Sequence, residues 1–303
     1  MMEFGKITIF PKSPFITPLQ SDTIFGHFAW AYAYKYGQSS LEEIMESFDE
    51  KPFIVFSDGF LQGYLPRPFL KPVTFKCDQI ENAKRIKKAT LVQKEFLFKN
   101  LDNLTEKKIV EHLQNLDLPP TSKHSITQKN SIDRDSLLVT EGLYTIKETF
   151  FYPKISYEIY FAYDDRIEQA KIEETFEVMA ARGYGKDKSA GKGRFDFTID
   201  WNFEEKKYFA QKRSKYINLS TMFYNSSKMK LLYGKTITKF PKAGGSYANS
   251  EPFKNPCIMF TPGSTFLVNE EAPYGKAEEG VYNKPKHYQN GYSIGIYFDG
   301  EDQ

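Results

Sequence analysis

From position 182 the chain reads Arg182-Gly183-Tyr184-Gly185-Lys186-Asp187-Lys188-Ser189-Ala190-Gly191-Lys192-Gly193-Arg194. Glycine has no Cβ, so it accepts positive φ and lets successive main-chain N–H groups converge on an anion. Lysine and arginine beside such a loop add charge-assisted hydrogen bonds. The chemistry of this pattern is grip on a phosphodiester chain without reading its bases. The candidate RNA-binding residues here are Arg182, Gly183, Tyr184, Gly185, Lys186, Lys188, Ser189, Gly191, Lys192, Gly193 and Arg194, with the Tyr184 ring as a base-stacking platform. A nucleotide-hydrolysing P-loop does not fit. Five residues, not four, separate Gly185 from Gly191, and Gly193 stands where the magnesium-binding hydroxyl belongs. A P-loop also follows a strand and opens a helix, whereas this loop leaves a helix and enters a strand.

The remaining reactive residues are sparse. The histidines are His27, His112, His124 and His287. His27 falls beside the apolar face of the first expected helix. It is either a buried, hydrogen-bonded structural residue or a general base for metal-independent RNA cleavage, with Tyr32 or Lys35 nearby. His124 lies in a basic segment and is a candidate RNA contact. No His-Asp or His-x-x-x-His pairing points to a metal, so no metal and no cofactor is expected. Cys77 and Cys257 are too few for a disulfide framework and, with the absence of an apolar leader, fit a cytoplasmic protein. No apolar run approaches the ~20 residues of a membrane helix, so no membrane association is expected.

Elements that would position the loop follow from periodicity. Residues 6–10 read as a strand ended by Pro11 and Pro14. Ser21 or Asp22 caps a helix to about Lys35, with Ile24, Phe28, Ala31 and Tyr32 on one face and Gly37 as its stop. Residues 41–48 suggest a second helix and 53–56 a strand. Residues 63–68, Gly-Tyr-Leu-Pro-Arg-Pro, are Pro-broken and expected to run as an extended loop. Residues 82–116 carry helical patches, and 119–135 form a polar excursion outside the sheet. Residues 156–163 alternate as a strand. Residues 166–181 place Ile172, Phe176, Met179 and Ala180 at helical spacing. Residues 194–201 point Phe195, Phe197, Ile199 and Trp201 one way. The sum, β-α-β-insert-β-α-β, is a ferredoxin-like (RRM-like) order, whose open sheet face commonly receives single-stranded RNA. Residues 216–224, 235–240, 257–261 and 292–298 are further strands.

The fold class expected is therefore α+β, with two ferredoxin-like domains. The first is residues 1–201 with an insertion at 60–150, and the second, residues 202–303, is smaller, β-rich and degenerate. Net charge is +2, from 41 basic and 39 acidic residues, too balanced to signal nucleic acid by itself. Its distribution is uneven: no acidic residue stands between Glu205 and Glu251. Aromatics reach 16%, with Phe 27 and Tyr 20, enough for a Phe/Tyr core with stacking or interfacial rings left over.

The glycine-rich run, placed between the last helix and last strand of a ferredoxin-like domain, resembles the signature of the CRISPR-associated RAMP superfamily. Ser21-Asp22-Thr23-Ile24-Phe25-Gly26 is similar to the first helix start of one branch. Gly63-Tyr64-Leu65-Pro66-Arg67-Pro68 is similar to that branch's F-L-P-K-P segment, and Pro262-Gly263-Ser264-Thr265-Phe266 to its G-S-x-F turn. Together they resemble the subunit-four family of type III-A Csm effector complexes, relatives of the fifth Cas group. The resemblance implies a noncatalytic subunit that binds the 5′ repeat-derived tag of CRISPR RNA. It implies contacts with the large palm-containing subunit and the backbone subunits, and indirect contact with target RNA, in antiviral defence. It adds Ser21 to the RNA-binding candidates. It also adds Lys123, His124, Lys129, Asn130 and Arg134 from the place of a thumb-like excursion, where Asn130-Ser131-Ile132-Asp133-Arg134 is similar to the family's N-x-I-D-R run. Lys186-Asp187-Lys188 departs from the commoner Gly-Lys-Arg/Lys. Asp133 and Asp135 form a weak carboxylate pair for the minor alternative of target cleavage. A metal-independent endoribonuclease processing CRISPR RNA precursor, with His27 as base, is the competing function.

Overall fold

The computed structural model describes residues 2–74, 80–116, 120–132, 139–245, 252–269, 272–283 and 287–300. The chain begins with β1 (Glu3–Pro11), α1 (Ser21–Tyr36) and α2 (Gln38–Ile44). Then come β2 (Ile54–Phe56), β3 (Phe60–Leu61), β4 (Tyr64–Pro66), α3 (Ile80–Lys88), β5 (Leu91–Gln93), α4 (Lys94–Lys99) and α5 (Glu106–Gln114). A hairpin of β6 (Ser122–Ile132) and β7 (Val139–Phe151) leads into β8 (Tyr157–Tyr163), α6 (Gln169–Arg182) and β9 (Phe195–Asp200). After α7 (Lys206–Ala210) come β10 (Lys215–Asn218), β11 (Met229–Tyr233), β12 (Thr236–Lys239), β13 (Cys257–Phe260) and β14 (Thr265–Val268). The last are β15 (Tyr274–Gly275), β16 (Tyr292–Ser293) and β17 (Gly295–Phe298). The protein is α+β.

The first sheet has the order β2-β8-β1-β9, with β3 also on β8, and every pairing is antiparallel. Ile7 pairs with both Ile159 and Ile199 across it. α1 and α6 lie against one face, where Phe28, Phe56 and Phe176 meet at centroid distances of 5.4–5.9 Å. The periodic residues Ile24, Phe28, Ala31 and Tyr32 of α1 are all buried, as are Ile172, Phe176 and Met179 of α6. The second sheet has the order β11-β14-β10-β17, again antiparallel. Ile217, Ile296 and Phe298 from it share one core with Phe28, Phe56 and Ile159, so burial is continuous between the sheets.

Several local expectations are corrected. α1 is not capped by Ser21 or Asp22: the cap residue is Gln20, with no side-chain cap bond. The Ser21 N–H is instead taken by the Asp58 carboxylate, 2.9 Å away and distant in sequence. A tertiary acceptor thus replaces the local one. The second helix ends at Ile44 rather than 48. Residues 64–66, expected as loop, form β4 and pair with β5, with Pro66 at the strand's end, where a missing N–H is tolerated. The excursion beginning near 119 is a long antiparallel ribbon separate from the main sheet. β11 and β14 were not expected as strands. Each is short, and both are fixed by cross-strand partners rather than by their own alternation.

Candidate nucleic-acid interface

α6 delivers the glycine-rich loop and β9 receives it. Gly183, Gly185, Gly191 and Gly193 all have positive φ, and so does Asp187, at 58°. The segment between β1 and α1 straps the loop from outside. Lys186 N–H donates to Thr17 Oγ1 at 3.0 Å, Gly193 N–H to the Pro14 carbonyl at 2.9 Å, and Arg194 N–H to Ser13 Oγ at 2.8 Å. Tyr184 N–H donates to Gly193 O at 2.8 Å, and Gly185 N–H donates to His27 Nε2 at 3.0 Å. Most amides of the loop therefore face protein acceptors. Among the described residues, those of Asp187, Lys188 and Ser189 have none. They open a 3₁₀ turn, Lys188–Ala190, whose first N–H groups have no intrahelical partner. The loop amides without a protein acceptor are thus confined to these three.

Tyr184 is not a free stacking platform. Its ring is buried, its hydroxyl donates to Pro18 O at 2.7 Å, and it packs on His27 with centroids 4.8 Å apart. Ser21 is likewise removed from any RNA contact in this fold. It is fully buried, its N–H bonded to Asp58 and its hydroxyl to Thr221 O at 3.1 Å. Gly183 and Gly193 are buried, while Lys186, Ser189, Gly191 and Arg194 are exposed and Arg182 stacks its guanidinium 3.9 Å over the Tyr34 ring. Burial, then the nearby Arg182 charge, holds the Lys188 ammonium below its usual range.

The hairpin closes on the loop from the other side. Phe15 and Thr149 exchange main-chain bonds at 3.0 and 2.8 Å, and the Phe15 ring meets Phe151 edge-on. Lys129 pairs with Asp187 at 2.8 Å, and Lys192 with the buried Glu148 at 3.0 Å. Lys186 lies 5.4 Å from the Tyr144 centroid. The two groups read separately from the sequence, loop and excursion, are neighbours. Lys129 and Lys192 are partly spent on carboxylates. Lys123 and Asn130 are exposed on the hairpin. His124 is also exposed, its Nδ1 hydrogen-bonded to Thr149 Oγ1 at 3.2 Å. Arg134, with Asp133 and Asp135, lies outside the described residues.

His27 differs from a free base. Its Nε2 accepts the Gly185 amide, and burial, with Lys188 beside it, pushes the ring down to about 4. The open sheet face is also occupied. Lys94 of α4 reaches Glu158 at 3.0 Å and Glu205 at 2.6 Å, and Tyr160 packs on Phe203 and Phe209. The insertion and α7 cover the surface that RRM-type domains offer to RNA. Sequence reasoning missed Ser13, Thr17, Glu148 and Asp58, since a hydroxyl or carboxylate acting on a distant amide leaves no periodic signal. Of the cation run after Glu205, Lys215 is buried, whereas Lys207, Lys212, Lys230, Lys235 and Lys242 are exposed. Lys239 pairs with Asp22 at 2.6 Å, Lys215 donates to Gly300 O, and Arg213 pairs with Asp102 and Asp299.

Three other segments that carry the resemblance, at 21–26, 63–68 and 262–266, are joints. Asp22, two residues into α1, is held by Lys239 and by Gln289 Nε2 at 2.9 Å. Phe69 N–H donates to Gly263 O at 2.8 Å and Thr265 Oγ1 to Phe69 O at 2.7 Å, so the segments at 63–68 and 262–266 lie against each other.

The sequence matches no protein-family model and no curated protein. Solved structures share its fold. A chain of the Csm1-Csm4 cassette in complex with cA4 is 16% identical, covers 100% of both chains and gives a TM-score of 0.62. A chain of the Csm3-Csm4 subcomplex in the type III-A CRISPR-Cas interference complex is 18% identical, covers 97% of this chain and 99% of that one, and gives 0.59. The Csm1-Csm4 cassette in complex with AMPPNP gives 0.59 at 16% identity over 100% of both. Csm4 is the component common to these assemblies, and the fold is Csm4-like. Among the described residues no helix is long and apolar enough to cross a membrane.

Proposed function

We propose that this chain, Csm4-like in fold, is a noncatalytic RNA-binding subunit of a type III-A CRISPR interference complex. It holds the 5′ repeat-derived tag of CRISPR RNA and joins the large palm-containing subunit to the backbone subunits, meeting target RNA only indirectly, in the cytoplasm. One observation carries the reading: the amides at 187–189, with Arg182, Lys186, Lys188 and Arg194 around them, lie between the strap and a projecting hairpin. A cation-rimmed cleft of this kind would suit the phosphates of a single strand. Architecture supports it too. Numbered within each unit, both sheets have the order 2-3-1-4, the order of a ferredoxin-like domain, the second with loops in place of its helices. Against an endoribonuclease stands His27, whose Nε2 is already committed to Gly185.

The test is binding of labelled repeat RNA to the purified protein without metal, followed by gel analysis of the RNA. Tag-dependent binding with intact RNA is the expected result. Cleavage abolished by His27→Ala would overturn it. Co-expression with CRISPR RNA and the large subunit, followed by pull-down, tests the assembly role.

A further inference from the structure

His27 and the glycine loop meet through one bond that the binding role does not explain. Gly185 N–H donates to Nε2 at 3.0 Å. An imidazole nitrogen that accepts an amide proton carries none itself, so the neutral ring has its proton on Nδ1. The ring is backed on one side. The Tyr184 ring packs against it at 4.8 Å, and Tyr184 is pinned by its own hydroxyl on Pro18 O at 2.7 Å. The bond also has a directional effect on the loop. With Gly185 tied inward to α1 and Lys186 tied to Thr17, the chain turns at Asp187 into its left-handed conformation. The amides of Asp187, Lys188 and Ser189, which follow directly, have no acceptor in the turn they open.

We infer that His27 is a positioning residue: as a neutral, Nδ1-protonated acceptor it clamps Gly185 and so presents the 187–189 amides to an RNA phosphate. It touches no RNA. Around the ring stand Tyr184, Lys188 and the loop main chain, and a nearby cation opposes a second proton. Protonation would set the Nε2–H against the Gly185 N–H, two donors facing each other, and the clamp would open. The inference deepens the RNA-binding reading, but its central bond is independent of that reading.

The test uses the full-length protein in two arms. In the first, ¹⁵N-histidine labelling follows the imidazoles, with the His27 signals identified by their loss in His27→Gln. Nε2 unprotonated at pH 7, with a titration midpoint near 4, is expected. A midpoint near 6.5, or a proton on Nε2, overturns the clamp. In the second, His27→Gln keeps an acceptor, whereas His27→Phe keeps a ring against Tyr184 and removes it. Hydrogen exchange across residues 183–194 is expected to speed up in the Phe variant and stay near wild type in the Gln variant. Binding of labelled repeat RNA is expected to weaken about ten-fold for Phe, and at most about three-fold for Gln. Equal RNA affinity in Phe and wild type overturns the positioning role. If Phe does not fold, the wild-type imidazole titration decides. Wild-type protein that ignores repeat RNA sinks the proposed function, while exchange and titration still decide the clamp.

Discussion

Gly193 and Gly191 show how unequal the residues of one loop are. A Cβ on Gly193 would stand 1.9 Å from Tyr184 O, at a φ of +69°. Gly193→Ala should therefore cost roughly 2–4 kcal/mol in a denaturation experiment. A Cβ on Gly191 meets nothing within 4 Å, and its φ is +81°. Gly191→Val should fold, at about 1–2 kcal/mol of backbone strain, and lose RNA affinity by more than Lys192→Ala does. If Val binds like wild type, main-chain approach there is irrelevant. Tyr184 behaves oppositely to a stacking platform. Tyr184→Phe removes a buried hydroxyl and its bond to Pro18 O, which keeps only the Gln20 N–H, so it should lose about 1 kcal/mol of stability. Unchanged stability would mean the hydroxyl contributes nothing. Glycine density and one-signed charge were legible in the sequence. Which glycine is structural and which is open depends on neighbours from residues 13–18, which no spacing within the loop encodes.

At the scale of elements, the hairpin and the loop regulate each other's charge. Asp187 holds Lys129 at 2.8 Å across the cleft. Asp187→Asn should release that lysine and steepen the dependence of log K on log salt by roughly 0.7, measured by RNA titration between low and moderate salt. No change, or a shallower slope, would show that Lys129 does not face RNA. A second element-level feature is the junction of α1, the turn after β2 and the chain following β10. Asp58 accepts from Ser21 N–H, Thr221 N–H and Thr221 Oγ1 at 2.8–2.9 Å. Burial pushes its carboxyl up to about 6, against those three bonds, with Asp22 adding to the rise. The folded value lies above the unfolded 3.8, so the folded state holds the extra proton. That contribution is complete below about pH 4 and lost as pH rises through about 6. Asp58→Asn keeps an acceptor and does not ionise. Its stability relative to wild type should rise by about 2–3 kcal/mol between pH 4 and 7, read by urea denaturation at both. A pH-independent difference would remove Asp58 as the titrating group. Sequence patterning found α1 and α6 because their apolar faces repeat. It missed β11 and β14, whose reason to be strands is the sheet beside them.

Across the whole molecule, the cations that remain for RNA are fewer than the sequence suggests. Lys192 is engaged by Glu148, and from the run after Glu205 Lys239 pairs with Asp22 and Arg213 with Asp102 and Asp299. With Arg182, Lys186, Lys188 and Arg194 as phosphate contacts, the slope of log K against log salt should be roughly −2.8. A value near zero would remove the cleft as an RNA site. The sequence alone determined the α+β order, the placement of a glycine-rich loop between a helix and a strand, and a likeness to type III-A subunits. Hydrophobic period and glycine are local properties, written where they act. Tertiary structure decided that Ser21 and Tyr184 are buried, that the open sheet face is covered by Lys94 and its carboxylates, and that His27 serves a main-chain amide. It also decided that the segments at 63–68 and 262–266 hold each other. Each of these depends on a partner many residues away, and the pairing of distant polar groups is set by how the sheets and insertion pack, which period and composition do not record.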